Sequence, residues 1–454
     1  MNYPDDGKVQ VHVPKKGVAC QCILTLIGSL FLVLFCTGPA FGQTVFLTGA
    51  QTGIPSPGAA GNHTPVVSIA ENGQLATLYY QNEPEVFAYN GNGSLLWNIT
   101  LAAEQVPWVS SASSAPDGSV VSVTQLIPGC CHGTVTNTSS NKVILFDRAG
   151  AKEWEYPTAS PPLSSVISGN NHDILIGTED GRIIDLDRNG TLCWTARVDA
   201  PVLSLATSRD GSTIVATGDS HYAFNKTYGE PLSPHDLFAL SENGTLLWDY
   251  QTKGWNSAAV SDDGSAIAAI EKVSGTLRLF NRAGPVTTLR VYPDGLATLA
   301  LAGDGNLIVT QTPGGGVYGF AGNGSPVWTL PAEPGSRGLA ITGTDDSVMI
   351  GDGSTLRLYS RDGTEVENRS LDAPVQAIAA ASGTGTVVAA TDQSLFFLPV
   401  ENPAKVSERN GLAAPVVTRS PDAIFTSSRE APANLLIPVI ALIAGALVIA
   451  GRRG

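Results

Sequence analysis

The hexapeptide Asn243-Gly244-Thr245-Leu246-Leu247-Trp248 recurs along the chain, and its recurrence decides the fold. Three close copies and one looser copy share its Gly and its Trp four residues later: Asn92–Trp97, Asn189–Trp194, Asn323–Trp328 and Ala149–Trp154. Two further turns, at Gly284 and Gly363, keep the Gly without the Trp. A fixed-period repeat outranks other local signals, because each repeat is one unit of a stacked architecture.

The spacing of this turn predicts the size of the unit. The turn glycines at 93, 150, 190, 244, 284, 324 and 363 are 57, 40, 54, 40, 40 and 39 residues apart. Most of these turns are preceded by another Asp-Gly or Asn-Gly turn, such as Asp210-Gly211. Such dipeptides favour tight hairpins. Four short antiparallel strands in about forty residues are typical of a β-propeller blade.

The blade count follows from the copies. Seven copies contain four strands, and residues 375–399 contain three more. A strand from Thr44–Thr48 would complete this last blade and remove an exposed edge. We therefore predict an all-β protein, a β-propeller of four-stranded blades, with eight blades and with seven as the alternative.

Composition supports this fold class and excludes one kind of partner. Only 15% of the 454 residues are charged and 49 are Gly, as in a turn-rich β-protein. The net charge of −14 argues against a nucleic-acid partner, whose phosphates need clustered Lys and Arg. Outside the apolar N-terminal run the chain has only Cys130, Cys131 and Cys193, which do not make a disulfide scaffold.

Both ends of the chain suggest export. Residues 1–42 combine Lys15-Lys16, an apolar run and a small-residue site, which predicts a signal peptide or an uncleaved N-terminal anchor. Residues 435–451 are apolar and precede a basic tail at 452–454, which predicts a transmembrane helix over 434–451 with a cytoplasmic C-terminus. The propeller ectodomain (43–400) and a stalk (401–433) would lie outside the cell membrane.

The predicted ectodomain carries nine Asn-x-Ser/Thr acceptor triplets. In an exported chain they are candidate glycosylation sites on surface turns: Asn62, Asn92, Asn98, Asn137, Asn189, Asn225, Asn243, Asn323 and Asn368. Four of them coincide with the repeated Gly-containing turn, so they would lie on one face of the ring.

The repeat resembles the tryptophan-docking motif of PQQ-like, or quinoprotein dehydrogenase-like, propellers. An acidic or amide residue precedes Gly-x-x-x-Trp in Asn90–Trp97, Asp147–Trp154 and Asp187–Trp194. The same Gly and Trp recur without it as Gly244 with Trp248 and as Gly324 with Trp328. The turn is one residue shorter than in that family. The resemblance implies that Trp97, Trp154, Trp194, Trp248 and Trp328 pack each blade against its neighbour. The composition and tail also resemble those of archaeal surface proteins.

Other rare residues are candidates for a ligand face. The Trp side chains of the repeat suit packing better than sugar or quinone stacking, whereas Trp108 and Trp255 lie off the repeat position. Two long insertions, at about 127–141 and 218–235, would extend from the face opposite the four candidate glycosylation sites on the repeated turn. With these two Trp they supply the candidate ligand face: Trp108, Cys130, Cys131, His132, His221, His235 and Trp255. The spacing of the Cys and His matches no known metal motif, and Cys130-Cys131 is either a local clasp, two thiols or a vicinal disulfide.

The sequence thus predicts a non-enzymatic, membrane-anchored cell-surface propeller that binds a protein or glycan partner or acts as a scaffold. We predict no catalytic, cofactor-binding or metal-binding residues, because no nucleophile, paired-carboxylate or phosphate-loop pattern is apparent. The alternative is a quinoprotein-like dehydrogenase with pyrroloquinoline quinone and calcium, or another propeller enzyme.

Overall fold

A computed structural model describes residues 50–53, 64–81, 83–102, 107–127, 141–218, 235–252, 256–272, 274–292, 295–331, 337–343 and 346–400. The predicted N-terminal segment (1–42), stalk (401–433), transmembrane helix (434–451) and tail (452–454) lie outside these residues. Every regular element of the described part is a β-strand, and no helix in it has the length and hydrophobicity to cross a membrane.

Eight four-stranded antiparallel sheets form the blades, which confirms the predicted fold class and the count of eight. The first strands of the blades, which face the axis, are β2 (Pro65–Ile69), β6 (Trp108–Ser114), β10 (Pro162–Ile167), β14 (Val202–Thr207), β18 (Asn256–Val260), β22 (Thr298–Leu301), β26 (Leu339–Ile341) and β30 (Ala377–Ala380). The second strands are β3 (Leu75–Tyr80), β7 (Val120–Leu126), β11 (Asp173–Thr178), β15 (Thr213–Gly218), β19 (Ile267–Glu271), β23 (Leu307–Gln311), β27 (Val348–Asp352) and β31 (Thr386–Ala390).

The two outer strand positions complete each sheet. The third strands are β4 (Glu85–Asn90), β8 (Lys142–Asp147), β12 (Arg182–Asp187), β16 (His235–Ser241), β20 (Thr276–Asn281), β24 (Val317–Ala321), β28 (Thr355–Tyr359) and β32 (Ser394–Pro399). The fourth strands are β5 (Leu95–Thr100), β9 (Lys152–Pro157), β13 (Leu192–Arg197), β17 (Leu246–Gln251), β21 (Gly284–Val291), β25 (Pro326–Leu330) and β29 (Glu365–Ser370). Blades 1 to 7 are consecutive in the chain, beginning with β2–β5.

Blade 8 is completed from the other end of the chain. Its fourth strand is β1 (Ala50–Gly53), which pairs antiparallel with β32 from Ala50↔Phe397 to Gly53↔Ser394. The closing strand is therefore Ala50–Gly53, whereas the predicted Thr44–Thr48 lies outside the described residues. The pairing covers the edge of β32, which would otherwise be an unpaired row of backbone groups.

Burial explains the strand patterns. Second strands such as Leu75–Tyr80 are buried along their whole length, because a neighbouring blade covers each of their faces. Fourth strands such as Leu246–Gln251 alternate between exposed and partly buried residues, because they form the rim. The turn glycines Gly93 and Gly244 have φ of 83° and 76°, values that L-residues rarely adopt.

The core lies between blades rather than inside one centre. The buried apolar residues form eight clusters, and each cluster combines side chains of two adjacent blades. In one of them Ile174 and Ile176 of blade 3 pack against Val143 and Leu145 of blade 2. The contacts between neighbouring blades therefore hold the ring together.

Candidate functional site

Each repeat Trp contacts the next blade. The indole Nε1 donates to a backbone carbonyl in the third turn of the following blade, the turn between its third and fourth strands. The five bonds run from Trp97 to Arg148 (3.1 Å), Trp154 to Arg188 (2.9 Å), Trp194 to Glu242 (2.9 Å), Trp248 to Asn281 (3.0 Å) and Trp328 to Arg361 (2.9 Å). The indole ring buries apolar surface while its N–H keeps a partner.

The turn glycine of the next blade makes room for this ring. A Cβ on Gly150 would lie 2.7 Å from Trp97 Cγ, and one on Gly190 would lie 2.8 Å from Trp154 Cδ2. Blade 5 lacks the Trp, and there Leu289 approaches Gly324 of blade 6 instead. At four interfaces the indole therefore packs on the turn glycine of the next blade: Trp97 on Gly150, Trp154 on Gly190, Trp194 on Gly244 and Trp328 on Gly363. Trp248 is the exception, since a Cβ on Gly284 would meet nothing within 4 Å.

The turns divide the ring into two faces. First and third turns lie together, since Gly91 N donates to Gln74 O and Gly322 N donates to Asn306 O. Second turns lie beside the connections between blades, as Val198 N donates to Gly181 O. We call these sides the first-turn face and the second-turn face.

Backbone contacts close the ring axis at the first-turn face. Arg209 N donates to Asp262 O (3.0 Å), and Asp262 N donates to Gly303 O (2.8 Å), so that first turns of successive blades bond to one another. The approach is so close that a Cβ on Gly343 would lie 1.6 Å from Ser382 O. Gly343 is therefore required by close backbone packing rather than by a turn conformation.

One side chain crosses this closed end. The Arg209 guanidinium of blade 4 donates from Nε to Glu71 Oε2 of blade 1 (2.9 Å), and its Nη2 also contacts Glu71 and Ser382 of blade 8. Its Nη1 lies 3.5 Å from Asp262 Oδ2 of blade 5. The hydrogen bond that Arg209 donates to the Glu71 carboxylate raises the pKa of Arg209. Arg209 therefore joins four blades at the axis.

The strands that face the axis carry only uncharged side chains. In blades 2 to 4 serine hydroxyls connect neighbouring first strands, with Ser110 donating to Pro162 O (2.6 Å) and Ser164 donating to Val202 O (3.1 Å). In blades 5 to 8 the corresponding strands are rich in Ala and Leu. The described part of the axis is thus built for contact between blades.

The candidate ligand-face residues are only partly described. Trp108 begins β6 at the second-turn face, is half-buried and pairs with Leu126. His235 begins β16, where it pairs with Gln251. Cys130, Cys131, His132, His221 and Trp255 lie outside the described residues. The two insertions join β7 to β8 and β15 to β16, which are second-turn positions, so the structure brings Trp108 and His235 to this one face.

Sequence reasoning missed a set of carboxylates that hold the second turns in place. Glu271 accepts from Arg278 Nε (2.8 Å), and Asp352 accepts from Arg357 Nε (2.8 Å). In blade 8 Asp372 accepts from Ser394 (2.7 Å) and Thr391 (3.1 Å). Charge-assisted bonds of this kind fix loop geometry. Their signal in the sequence is weak, because the partners are five to twenty-two residues apart.

Burial also perturbs two titratable groups of the second-turn face. It raises the pKa of Glu179, with a further contribution from Asp180, and it lowers the pKa of Lys272. Perturbed groups are more frequent at functional sites than elsewhere, although structural networks produce them too. These two residues add to the chemistry available on this face.

A buried carboxylate also lies at the interface of blades 3 and 4. Asp185 is 3% exposed, lies opposite Trp194 in the pairing of β12 with β13, and its Oδ1 has no hydrogen-bond partner among the described residues. Burial raises its pKa to about 7, helped by Asp173 and Asp187. The equivalent position beside the Trp is Leu145 in blade 2 and Ala239 in blade 4.

The rim carries exposed apolar pairs. In blades 1 to 7 the fourth strand has a β-bulge just after the third turn, where two residues oppose one residue of the third strand. In four blades the pair holds apolar side chains that are between 38% and 59% exposed: Leu95 and Leu96, Leu246 and Leu247, Val286, and Val327. In blade 3 the pair is Leu192 and the exposed Cys193.

Six of the nine candidate glycosylation sites are described, and all six are exposed. Asn92, Asn189, Asn243 and Asn323 occupy third turns, whereas Asn98 lies on β5 and Asn368 on β29. Asn62, Asn137 and Asn225 lie outside the described residues. Among the residues that the structure describes, no group of three or more His, Cys, Asp or Glu could hold a metal ion.

Comparison with known proteins gives a family match and similar solved structures. The family model described as "Outer membrane protein assembly factor BamB" matches residues 139–292, from just before β8 to just after β21. The crystal structure of BamB from Moraxella catarrhalis is similar at 18% identity and a TM-score of 0.48, covering 77% of this chain and 98% of that chain. No curated protein sequence matches the chain significantly.

Proposed function

We propose that this chain is a membrane-anchored cell-surface propeller that binds a protein partner through its second-turn face. The observation that carries the proposal is the closed axis: the first turns bond to one another, and Arg209 crosses between them to Glu71. At its first-turn end the described centre of the ring is occupied by structural contacts. The side chains available to bind a partner are therefore those on the first-turn face and the second-turn face.

The path of the chain favours the second-turn face as the outward one. Ala50 lies against Gly93 in a third turn, and Val400 N donates to Gly385 O in a first turn. The described chain thus enters and leaves the ring at the first-turn face. If residues 434–451 anchor the protein, this face is the one nearest the anchor. The second-turn face would then point towards partners.

Two further observations support a protein partner. The matched family model is described as an outer membrane protein assembly factor. The second turns of blades 5, 7 and 8 are held by charge-assisted hydrogen bonds, and rigid scaffolds that present loops are typical of recognition surfaces. The two long insertions connect strands that end and begin at this same face.

A comparison of face variants tests the proposal. Full-length protein is purified from membranes of its natural host, and the co-purifying proteins are identified by mass spectrometry. Ser354→Arg with Gln393→Arg changes two exposed second-turn residues, and His172→Arg with Asp362→Arg is the matched pair on the first-turn face. We expect the first pair to lose a specific partner and the second pair to keep it. The reverse pattern would contradict the proposal.

A separate test addresses the enzyme alternative. Pyrroloquinoline quinone and calcium are added to the purified full-length protein, and absorbance and dye reduction are followed. We expect neither a protein-bound quinone band nor dye reduction. Either signal, at a stoichiometry near one quinone per chain, would replace the binding function with a quinoprotein activity.

A further inference from the structure

The exposed apolar pairs of the rim coincide with the glycosylation triplets. Asn92, Asn189, Asn243 and Asn323 stand three residues before Leu95, Leu192, Leu246 and Pro326, the first residues of the bulge pairs. In the two third turns of blades 2 and 7, which lack the triplet, the pairs contain charge: Lys152-Glu153 and Glu365-Val366. Blade 5 alone has an apolar pair, Pro285-Val286, without a triplet.

The exposed apolar area calls for an explanation, because contiguous apolar surface is usually covered by something. Leu192, Leu246 and Val327 are 48%, 48% and 47% exposed. The bulge leaves the second member of each pair without a partner on the third strand, at the end of the strand nearest the third turn. A group attached to the turn Asn lies within three residues of extended chain, about 10 Å, from the first of them.

The turn also presents the acceptor amide. Asn92 Oδ1 accepts from Ser94 N (3.0 Å), and Asn323 Oδ1 accepts from Ser325 N (2.9 Å). Thr245 N donates to Asn243 Oδ1 at 3.2 Å. In the described structure the Nδ2 groups of these three residues donate no hydrogen bond. In contrast, Asn368 on β29 donates from Nδ2 to Glu365 Oε1 (2.8 Å).

We infer that the third-turn residues Asn92, Asn189, Asn243 and Asn323 carry N-linked oligosaccharides that cover the apolar pairs beside them. The inference rests on the export in the proposed function. The donor class is an oligosaccharide linked to a lipid phosphate. The Nδ2–C1 bond forms as the C1–O bond to phosphate breaks, the lipid phosphate leaves with the bonding electrons, and Nδ2 releases one proton. No atom is oxidised or reduced.

The covering role accounts for the apolar pairs of blades 1, 3, 4 and 6, the four whose third turn carries a triplet. A glycan is bulky and hydrated on its outer side, so it solubilises the surface below it. In blades 2 and 7, which have no triplet, Lys152, Glu153 and Glu365 keep the rim polar directly, and the Pro285-Val286 pair of blade 5 stays uncovered. The glycans would ring the first-turn face, which leaves the second-turn face clear for a partner.

Glycopeptide mass spectrometry of the full-length protein from its natural host tests the modification. We expect oligosaccharide on all four third-turn Asn. Protease accessibility on intact cells is measured in parallel. Exported protein with unmodified third turns overturns the inference and leaves the proposed function standing, whereas protein that is protected inside the cell overturns both.

A variant series tests the covering role. Asn243→Gln removes one glycan, and Asn368→Gln, on a strand whose bulge pair contains Glu365, is the matched control. We expect Asn243→Gln to raise binding of an apolar dye and self-association several-fold. Adding Leu246→Thr and Leu247→Thr should reverse both effects, and Asn368→Gln should change neither. Equal effects of the two Asn variants, or loss of a specific partner from Leu246→Thr with Leu247→Thr alone, would show that the pair is not covered by sugar.

Discussion

Arg209 of blade 4 donates from Nε to Glu71 Oε2 of blade 1 at 2.9 Å, so one ion pair joins blades on opposite sides of the ring axis. The two residues are 138 positions apart in the chain. Both side chains remain partly accessible, at 42% and 29%. Exposed ion pairs contribute little on their own, so the backbone bonds around Arg209 carry much of the closure.

A double-mutant cycle measures this ion pair. Arg209→Ala, Glu71→Ala and the double variant are unfolded in urea. We expect a coupling free energy of unfolding of about 0.5–1 kcal/mol that shrinks at high salt, because the pair is solvent-accessible. Strictly additive single-variant effects would show that Arg209 and Glu71 do not interact in solution.

The docking of Trp154 on Gly190 predicts graded losses of stability. Trp154→Phe keeps most of the apolar contact but loses the bond to Arg188 O, so we expect a loss of about 1 kcal/mol beyond the smaller ring. Trp154→Ala should cost about 3–5 kcal/mol. Urea unfolding checks both values, and equal losses for Phe and Ala would argue against ring packing.

The glycine beneath the Trp has its own test. Gly150→Ala places a Cβ 2.7 Å from Trp97 Cγ, whereas Gly353→Ala meets nothing within 4 Å, although both glycines have positive φ, 85° and 57°. Both variants carry a backbone cost of about 1–2 kcal/mol. We expect Gly150→Ala to lose about 1–3 kcal/mol more, through overpacking. Similar thermal midpoints for the two variants would contradict the contact.

Asp185 predicts a pH dependence of stability. Its pKa of about 7 in the folded ring exceeds the usual carboxyl value, because burial and the neighbouring Asp173 and Asp187 disfavour the charge. The folded state therefore holds the proton that the unfolded chain releases between pH 4 and 7. The free energy of unfolding should therefore fall as the pH rises through this window, by on the order of a few kcal/mol.

The variant Asp185→Asn isolates this effect. The free energy of unfolding is measured in urea at pH 5 and pH 8 for both proteins. We expect the free energy of unfolding of Asp185→Asn to change less between pH 5 and pH 8, and we expect this variant to be the more stable protein at pH 8. If the difference between the two proteins does not change with pH, Asp185 does not titrate in this range.

The repeat predicted the blades because its signals are local. Gly93 and Gly244 fix a turn, and each Trp lies on the strand that follows, so neither feature depends on distant residues. The closing strand was predicted at Thr44–Thr48 because that segment holds the apolar run Val45-Phe46-Leu47, whereas Ala50-Gln51-Thr52-Gly53 has no apolar run. Pairing with β32, far away in the chain, selects Ala50–Gly53 as a strand.

The axis and the rim could not be predicted for the same reason. In the sequence Arg209 is one residue of a tight Arg-Asp-Gly turn, and only the ring brings it to Glu71. The bulge that exposes Leu246 and Leu247 depends on pairing with Leu240 and Ala239. The acceptor Asn243 was visible in the sequence, but its proximity to an exposed apolar pair was not.

Site-specific photo-crosslinking in intact host cells tests whether a protein partner binds at the second-turn face. A photoreactive amino acid is placed at Ser354 or Gln393 on the second-turn face and at His172 or Asp362 on the first-turn face of the full-length protein. We expect a discrete crosslinked protein from the first two positions and none from the last two. Crosslinks confined to His172 and Asp362, or equal at all four positions, would contradict it.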